Sequence, residues 1–270
     1  MYTLFLISSF IFGTIIGSFL NVVILRYNTG MSINGRSGCF SCGKKLEWYE
    51  LVPVVSFIML LGKCSACKSR ISWQYPLVEL ATGSLFLALF VKYFSIDFST
   101  THVIGFIVSA IVWSILVVIT VYDIRHKIIP DGLVFAFAGL ALISFFLTHP
   151  FAGIFHYPQI LDLLAGPILF TPFWLLWLVS KGTWMGFGDA KLAIGMGWFV
   201  GLSQGISAVI LGFWIGAVVS LLWMGYCALA HKNRPSMKTE IPFAPYLILG
   251  LLVVFFFHID VLGLSLLLGV

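Results

Sequence analysis

The sequence predicts an all-α polytopic membrane protein with about eight transmembrane helices and a small polar insert between helices 1 and 2. Of its 270 residues, 60% are hydrophobic and only 9% are charged, whereas soluble domains carry about 25% charged residues. This deficit of charge indicates that lipid, rather than water, solvates most of the chain.

Eight apolar stretches account for the predicted helices, because a helix that crosses the hydrocarbon core needs about 20 mainly apolar residues. One stretch, Ala190–Val200, is short and precedes the Gly-rich turn Gly201–Gly205. The seven longer stretches are Thr3–Leu25, Leu77–Phe94, Val103–Tyr122, Leu133–Leu147, Ile160–Val179, Ile206–Ala230 and Phe243–Phe257.

The basic residues predict the orientation of these helices. With the N-terminus outside, the cytoplasmic segments hold 14 of the 15 Lys and Arg residues, and only Lys92 lies on the other side. This distribution satisfies the positive-inside rule, and an even number of spans places the C-terminus outside as well. The net charge of +5 is therefore interpreted as orientation. No basic face interleaved with aromatic residues predicts binding of nucleic acid.

Three parts of the chain follow from this topology. Residues 1–25 form the first transmembrane helix, residues 26–75 a cytoplasmic insert, and residues 76–270 the transmembrane core. Within the insert, Leu51–Leu61 is apolar but too short to span, so we expect it to lie on the membrane or to pack against the bundle.

Four cysteines of the insert form two CxxC pairs separated by 21 residues, Cys39 with Cys42 and Cys64 with Cys67. Two such turns at this spacing are typical of tetrahedral zinc coordination by four sulfurs. A cytoplasmic location also disfavours disulfides. The pattern predicts a structural zinc ion that folds the insert; a redox dithiol or a remnant of a lost site is the alternative.

Two aspartates, Asp123 and Asp189, lie at predicted cytoplasmic helix ends. An ionisable group beside hydrocarbon is costly and is a functional candidate, although a solvated helix-end residue is the simpler interpretation. Gly186 and Gly188 leave the backbone beside Asp189 open. Because both helices end on the same side, we expect the two carboxylates to converge and to share a proton, as general acid–base catalysis requires.

Helix direction predicts unequal roles for this pair. Asp189 begins its helix, where the positive dipole end favours the ionised base, and Asp123 ends a helix, where the negative end favours the protonated acid. The cations Arg125, His126 and Lys127 oppose this assignment for Asp123.

The other membrane-proximal charges have simpler interpretations. Asp131 follows Pro130 and is predicted to be the N-cap of the fourth spanning helix. Asp97, Asp162 and Asp260 fall toward the outer face, where no partner is predicted. Lys191 either tunes the two aspartates or marks the cytoplasmic interface.

An ordered set of segments resembles the bacterial type IV prepilin peptidases, which are membrane aspartyl proteases of the GxGD type. The resemblance implies that Asp123 and Asp189 are catalytic. It also implies cleavage of type IV prepilins and pseudopilins after a basic leader, at the cytoplasmic face of the bacterial inner membrane. The segments are Gly17–Arg26, the two CxxC pairs, Leu46–Pro53, Tyr75–Leu80, Asp123 with Ile129–Asp131, Gly186–Leu192 and Ile241–Leu247.

Many family members with such an insert also methylate the new amino terminus with S-adenosylmethionine, although this sequence has no Gly-rich Rossmann fingerprint for the methyl donor. Departures from the family pattern are Glu50 in place of Asp, Ala244 in place of Gly, and Tyr27-Asn28 in place of Leu-Pro. The acidic residues Glu47, Glu50 and Glu79 either meet the positive charge of the leader or are solvated at the surface.

Three other functions stay open from the residues alone. One is an intramembrane aspartyl protease that cuts within spans, which the insert and the juxtamembrane aspartates disfavour. A second is an ion-coupled transporter using the same aspartates, for which no inverted repeat is found. The third is a zinc-bearing scaffold of a secretion machine, which would leave both aspartates without a role.

Overall fold

The computed structural model describes residues 2–32, 34–95, 98–148, 154, 156–229 and 242–268. Within these residues the chain is helical, with two isolated β-bridges and no strand. The predicted sites Asp97 and Ile241 and the cytoplasmic cations Lys232, Arg234 and Lys238 lie outside the described residues.

Ten α-helices form the described chain. They are α1 (Tyr2–Arg26), α2 (Val55–Met59), α3 (Gln74–Phe94), α4 (Thr100–His126), α5 (Asp131–Thr148), α6 (Gln159–Ser180), α7 (Phe187–Val200), α8 (Leu202–Leu229), α9 (Ala244–Phe257) and α10 (Leu264–Leu268). A 3₁₀ turn at Trp48–Leu51 precedes α2.

Six of the described helices are long and apolar enough to cross a membrane, namely α1, α3, α4, α5, α6 and α8. Helices α7 and α9 have 14 residues each, fewer than the roughly 17 that a span needs at least. The prediction of a helical polytopic membrane protein is confirmed, and the number of eight spans stays a prediction.

The chain divides into two compact units, Met1–Val118 and Ile119–Val270, with the boundary inside α4. In the first unit, α1 packs closely on α3 because glycines bring the backbones together. A Cβ atom on Gly13 would lie 2.9 Å from Cα of Gly83, and one on Gly17 would lie 2.8 Å from Cα of Glu79. Near the end of α1, Asn21 Nδ2 donates a hydrogen bond to the carbonyl of Tyr75 at 3.2 Å.

In the second unit, α7 lies among α5, α6, α8 and α9. Small residues again allow this, because a Cβ atom on Gly197 would lie within 2.6 Å of the carbonyl oxygen of Ala165 on α6. The indole of Trp198 donates to the carbonyl of Leu163 at 2.9 Å and joins α7 to α6 a second time. Helix α7 is thus buried on several sides.

Two acidic residues have partners that the sequence did not predict. The carboxylate of Asp162 accepts a hydrogen bond from the backbone N–H of Leu202 at 2.9 Å and so satisfies the start of α8. The carboxylate of Asp260 accepts one from the N–H of Ser265 at 2.7 Å, at the start of α10. The expectation that these aspartates lack partners is wrong, because free N–H groups at helix starts attract carboxylates.

Candidate functional site

Asp123 lies in the last turn of α4, as the sequence predicts. Its side chain is buried, with 4% of the residue exposed. The backbone amide of Ala244, the first residue of α9, is hydrogen-bonded to the carboxyl group, so the Ala methyl group takes no part in this contact. The second oxygen, Oδ2, is buried and has no hydrogen-bond partner among the described residues.

Asp189 lies in the first turn of α7 and is also buried, at 6% exposure. The backbone amide of Gly186, which precedes the helix, is hydrogen-bonded to its carboxyl group. Oδ1 is buried, and no group in the described part of the chain forms a hydrogen bond with it. The predicted positions of both aspartates, one at the end of a helix and one at the beginning, are confirmed.

The two carboxyl groups lie close enough to interact electrostatically. Two like charges that are close together and buried do not readily coexist. Each group also keeps one buried oxygen free of hydrogen bonds, and a buried polar atom without a partner calls for an explanation.

The two glycines of the GxGD segment have different surroundings. A Cβ atom on Gly188 would lie 2.9 Å from Cβ of Ile129, which follows α4. Among the described residues, the atom nearest to a Cβ on Gly186 would be Oδ2 of Asp189, at 3.6 Å. Gly188 is therefore required for close packing of the α7 start, whereas the site of Gly186 has room for a methyl group.

Lys191 and Asp131 form an ion pair beside the aspartates. Lys191 Nζ donates a hydrogen bond to Oδ1 of Asp131 and lies 5.1 Å from the ring centroid of Phe187 and 5.7 Å from that of Phe135. Helix α5 begins at Asp131 itself, while the carbonyl of Pro130 accepts the first helical hydrogen bonds. The prediction of Asp131 as the N-cap is therefore wrong by one residue, and its carboxylate joins α5 to α7 instead.

The four cysteines of the insert converge in the first unit, as their spacing predicts. Each CxxC pair occupies a tight turn closed by one bridge, between Gly38 and Lys45 in the first and between Lys63 and Arg70 in the second. The four sulfur atoms all lie within 4.8 Å of one another.

This arrangement fits a tetrahedral zinc ion. Zinc–sulfur bonds of about 2.3 Å place the sulfurs of a tetrahedron about 3.8 Å apart, and Sγ of Cys39 lies 3.8 Å from Sγ of Cys67. Backbone N–H groups of Cys42 and Ser41 lower the pKa of the Cys39 thiol to about 6, which favours the thiolate that binds metal.

Glu50 joins the two cysteine turns through hydrogen bonds. Its Oε1 accepts from Lys44 Nζ at 3.0 Å and from the hydroxyl of Ser65, and its Oε2 accepts from the N–H of Glu47 at 2.9 Å. Lys44 follows the first CxxC pair and Ser65 lies inside the second, so one buried carboxylate holds both. The Ser65 hydroxyl, the Glu47 N–H and Lys44 together lower the pKa of Glu50 to about 2.

Neither Glu50 nor Glu79 is available to a basic leader. Both are buried, and Glu79 accepts a hydrogen bond from the N–H of Val54 at 2.8 Å. The predictions that these carboxylates meet the leader or are solvated are wrong for both, since each holds part of the insert. Glu47 is exposed.

Comparison with known proteins decides the family. A family model for the bacterial peptidase A24 N-terminal domain matches residues 11–93, and one for the type IV leader peptidase family matches residues 110–221. A prepilin leader peptidase/N-methyltransferase of Xanthomonas campestris is 34% identical over 92% of this chain and 90% of its own length. The chain belongs to the type IV leader peptidase family.

Other members of the family are similar to the same extent. The prepilin leader peptidase/N-methyltransferase of Pseudomonas aeruginosa is 32% identical over 90% of this chain and 87% of its own. That of Bacillus subtilis is 31% identical over 89% of this chain and 90% of its own. No solved structure matches the chain significantly. Membership of this family identifies a membrane-embedded peptidase and disfavours the transporter and the scaffold.

Proposed function

We propose that this protein removes the basic leader of type IV prepilins or pseudopilins by means of Asp123 and Asp189, at the cytoplasmic face of the inner membrane. The observation that supports this most is the buried pair of interacting carboxyls, each with one oxygen that forms no hydrogen bond within the described residues. A pair of this kind supplies the acid and the base that peptide hydrolysis needs.

In the proposed mechanism, Asp189 begins as the carboxylate and Asp123 as the carboxylic acid. Asp189 takes a proton from water as the water oxygen attacks the scissile carbonyl carbon, and Asp123 protonates the carbonyl oxygen. The resulting gem-diol then returns a proton to Asp123, while Asp189 protonates the leaving nitrogen and the C–N bond breaks. Both groups regain their initial states. The backbone amides of Gly186 and Ala244 keep the two carboxyl groups in place throughout.

The proposed orientation places the cleavage at the correct depth for such a substrate. If α7 and α9 complete eight spans, both termini lie outside and 14 of the 15 Lys and Arg residues lie in the cytoplasm. A prepilin inserts with its basic leader on that same side, so its scissile bond lies near the interface. Asp123 and Asp189, at the ends of their helices, lie at this level.

We assign a structural role to the insert, residues 26–75, and hydrolysis to the core, residues 76–270, with residues 1–25 as the first span. Cys39, Cys42, Cys64 and Cys67 would hold one zinc ion with all four positions filled. Such a closed site folds a domain and leaves no position for a substrate.

We also propose that the protein methylates the amino terminus that cleavage exposes. This proposal rests on the relatives that are named prepilin leader peptidase/N-methyltransferase. When bound, S-adenosylmethionine would supply the methyl group. No residue of this chain is assigned to that cofactor.

Both activities are tested in proteoliposomes with a model prepilin and S-adenosylmethionine labelled in its methyl group. We expect a shortened, labelled product from the wild type and from Asp162→Asn, a control aspartate whose carboxylate caps α8. We expect no product from Asp123→Asn or Asp189→Asn. Cleavage at the wild-type rate by either variant would overturn the proposed site, and an unlabelled product would overturn the methylation only.

A further inference from the structure

The segment between the two cysteine turns carries an exposed apolar surface. Val55, Ile58 and Met59 lie on one face of α2, because helix positions three and four residues apart are neighbours. With Leu61 and Trp73 they form what we call the apolar patch. The exposed fractions are 64% for Ile58, 78% for Met59, 83% for Leu61 and 70% for Trp73. Clustered exposed apolar side chains are typical of a site of interaction with a partner or a membrane.

Two contacts determine the level of α2, which carries this patch, relative to α3. The N–H of Val54, just before α2, donates to Oε2 of Glu79 at 2.8 Å. Glu79 lies five residues beyond Gln74, the first residue of α3, which is about 7.5 Å along the helix axis at 1.5 Å per residue. Side chains of a helix lean toward its N-terminus, so the beginning of α2 lies beside the first turns of α3.

The aromatic ring of Phe57 gives an independent second measure. Its centroid lies 5.0 Å from that of Trp73, the residue directly before α3. Phe57 is half-buried and thus packs at the level of the first turn of α3. The opposite face of α2, with Ile58 and Met59, is exposed at that same level.

The surroundings of the patch match one partner, which is the lipid interface. Trp side chains concentrate where a membrane meets water, and an amphipathic segment buries its apolar face among the headgroups. Lys63 and Arg70 lie between Leu61 and Trp73 in the sequence, and both are exposed. Their backbones form the β-bridge that closes the second cysteine turn. Such cations attract anionic lipid headgroups.

We propose that the apolar patch docks the insert onto the bilayer, with Ile58 and Met59 in the headgroup region and Lys63 and Arg70 against anionic lipid phosphates. The insert is then held against the membrane by lipid as well as by α1 and α3, so the cysteine cluster stays at a constant height beside α3. This inference does not depend on the assignment of the catalytic aspartates.

Photo-crosslinking tests the contact directly. The full chain, with p-benzoylphenylalanine at position 58, at 59 or at the control position 45, is reconstituted in vesicles of phosphatidylethanolamine and phosphatidylglycerol and irradiated. Lys45 is exposed on the first cysteine turn. We expect lipid adducts at positions 58 and 59 and none at 45. Equal yields at all three positions, or crosslinks to a second copy, would overturn the proposal. The proposal would also be overturned if, on addition of prepilin, positions 58 and 59 formed adducts with prepilin instead of lipid.

A second measurement separates docking from folding. Ile58→Ser combined with Met59→Ser should increase the rate of trypsin cleavage at Lys63 and Arg70 in vesicles several-fold and leave the zinc content unchanged. Lys45→Ser should alter neither quantity. An unchanged trypsin rate in the double variant would contradict docking by the apolar patch.

Discussion

Replacing Gly188 with Ala adds a single methyl group directly before Asp189. The new Cβ atom would lie 2.9 Å from Cβ of Ile129 and 3.1 Å from its Cδ1. Because a Cβ atom is fixed by its backbone, no change of rotamer relieves the shorter contact. Either the backbone at Ile129 or the start of α7 must move, and a moved α7 start displaces the carboxyl group of Asp189.

The size of the effect follows from two opposing contributions. Overpacking of this kind costs about 1–3 kcal/mol, whereas Ala stabilises a helix by up to about 1 kcal/mol relative to Gly. The loss of global stability should therefore be small. If the overpacking is relieved by displacing Asp189 from its catalytic position, the same energy is lost from catalysis. At 1.36 kcal/mol for each factor of ten, kcat/KM then falls by about 5- to 150-fold.

Gly186→Ala is the matched control within the same segment. Its methyl group would lie 3.6 Å from the nearest atom of the described residues, and Ala at this N-cap position costs about 1 kcal/mol at most. We therefore expect kcat/KM to fall by less than about fivefold. The assay is prepilin cleavage in proteoliposomes, with thermal unfolding measured alongside. A kcat/KM of Gly188→Ala equal to that of the wild type would refute the role assigned to close packing at Gly188. So would a larger loss of kcat/KM in Gly186→Ala than in Gly188→Ala.

Three further outcomes are expected. Removal of the proposed zinc ion, by a chelator or by Cys42→Ser, should make the insert sensitive to trypsin, and an equally resistant insert would contradict the proposed folding role of the metal. Glu50→Gln should release zinc faster, because hydrogen bonds to a charged group contribute about 1.5–3 kcal/mol. The pKa of Glu50 is lowered from 4.5 to about 2. The wild type should therefore be more stable than Glu50→Gln by the full amount above about pH 4.5, and this difference should shrink as the pH falls toward 2. A stability difference that does not depend on pH in unfolding curves would contradict this prediction. Asp131→Asn should reduce cleavage by less than about fivefold, because its ion pair with Lys191 is partly exposed and contributes at most about 1 kcal/mol; a complete loss of cleavage would show that Asp131 belongs to the reacting groups.

Much of this architecture could be predicted from local sequence patterns. All eight apolar stretches correspond to described helices, because length and hydropathy are local properties. Asp123 directly follows one apolar run and Asp189 directly precedes another, so their places at helix ends could be predicted from the limits of these runs. The convergence of the four cysteines followed from their spacing alone.

The contacts that the sequence did not reveal join residues that are far apart along the chain. Asp131 and Lys191 are 60 residues apart, and Asp162 and Leu202 are 40 residues apart. Helical periodicity carries no information on such pairs. Glu50 was predicted wrongly for a related reason. A carboxylate in a polar segment is expected to be exposed, and only the folded structure shows that Ser65 and Lys44 surround it.

The dependence of cleavage on both aspartates together tests the central claim most directly. We would measure kcat/KM for Asp123→Asn, Asp189→Asn and the double variant. An acid and a base contribute about 10²–10⁴-fold each, and groups that act as a unit are strongly non-additive. The account predicts a loss of this size in each single variant and little further loss in the double variant. Losses that multiply in the double variant, or a single variant with wild-type activity, would contradict it.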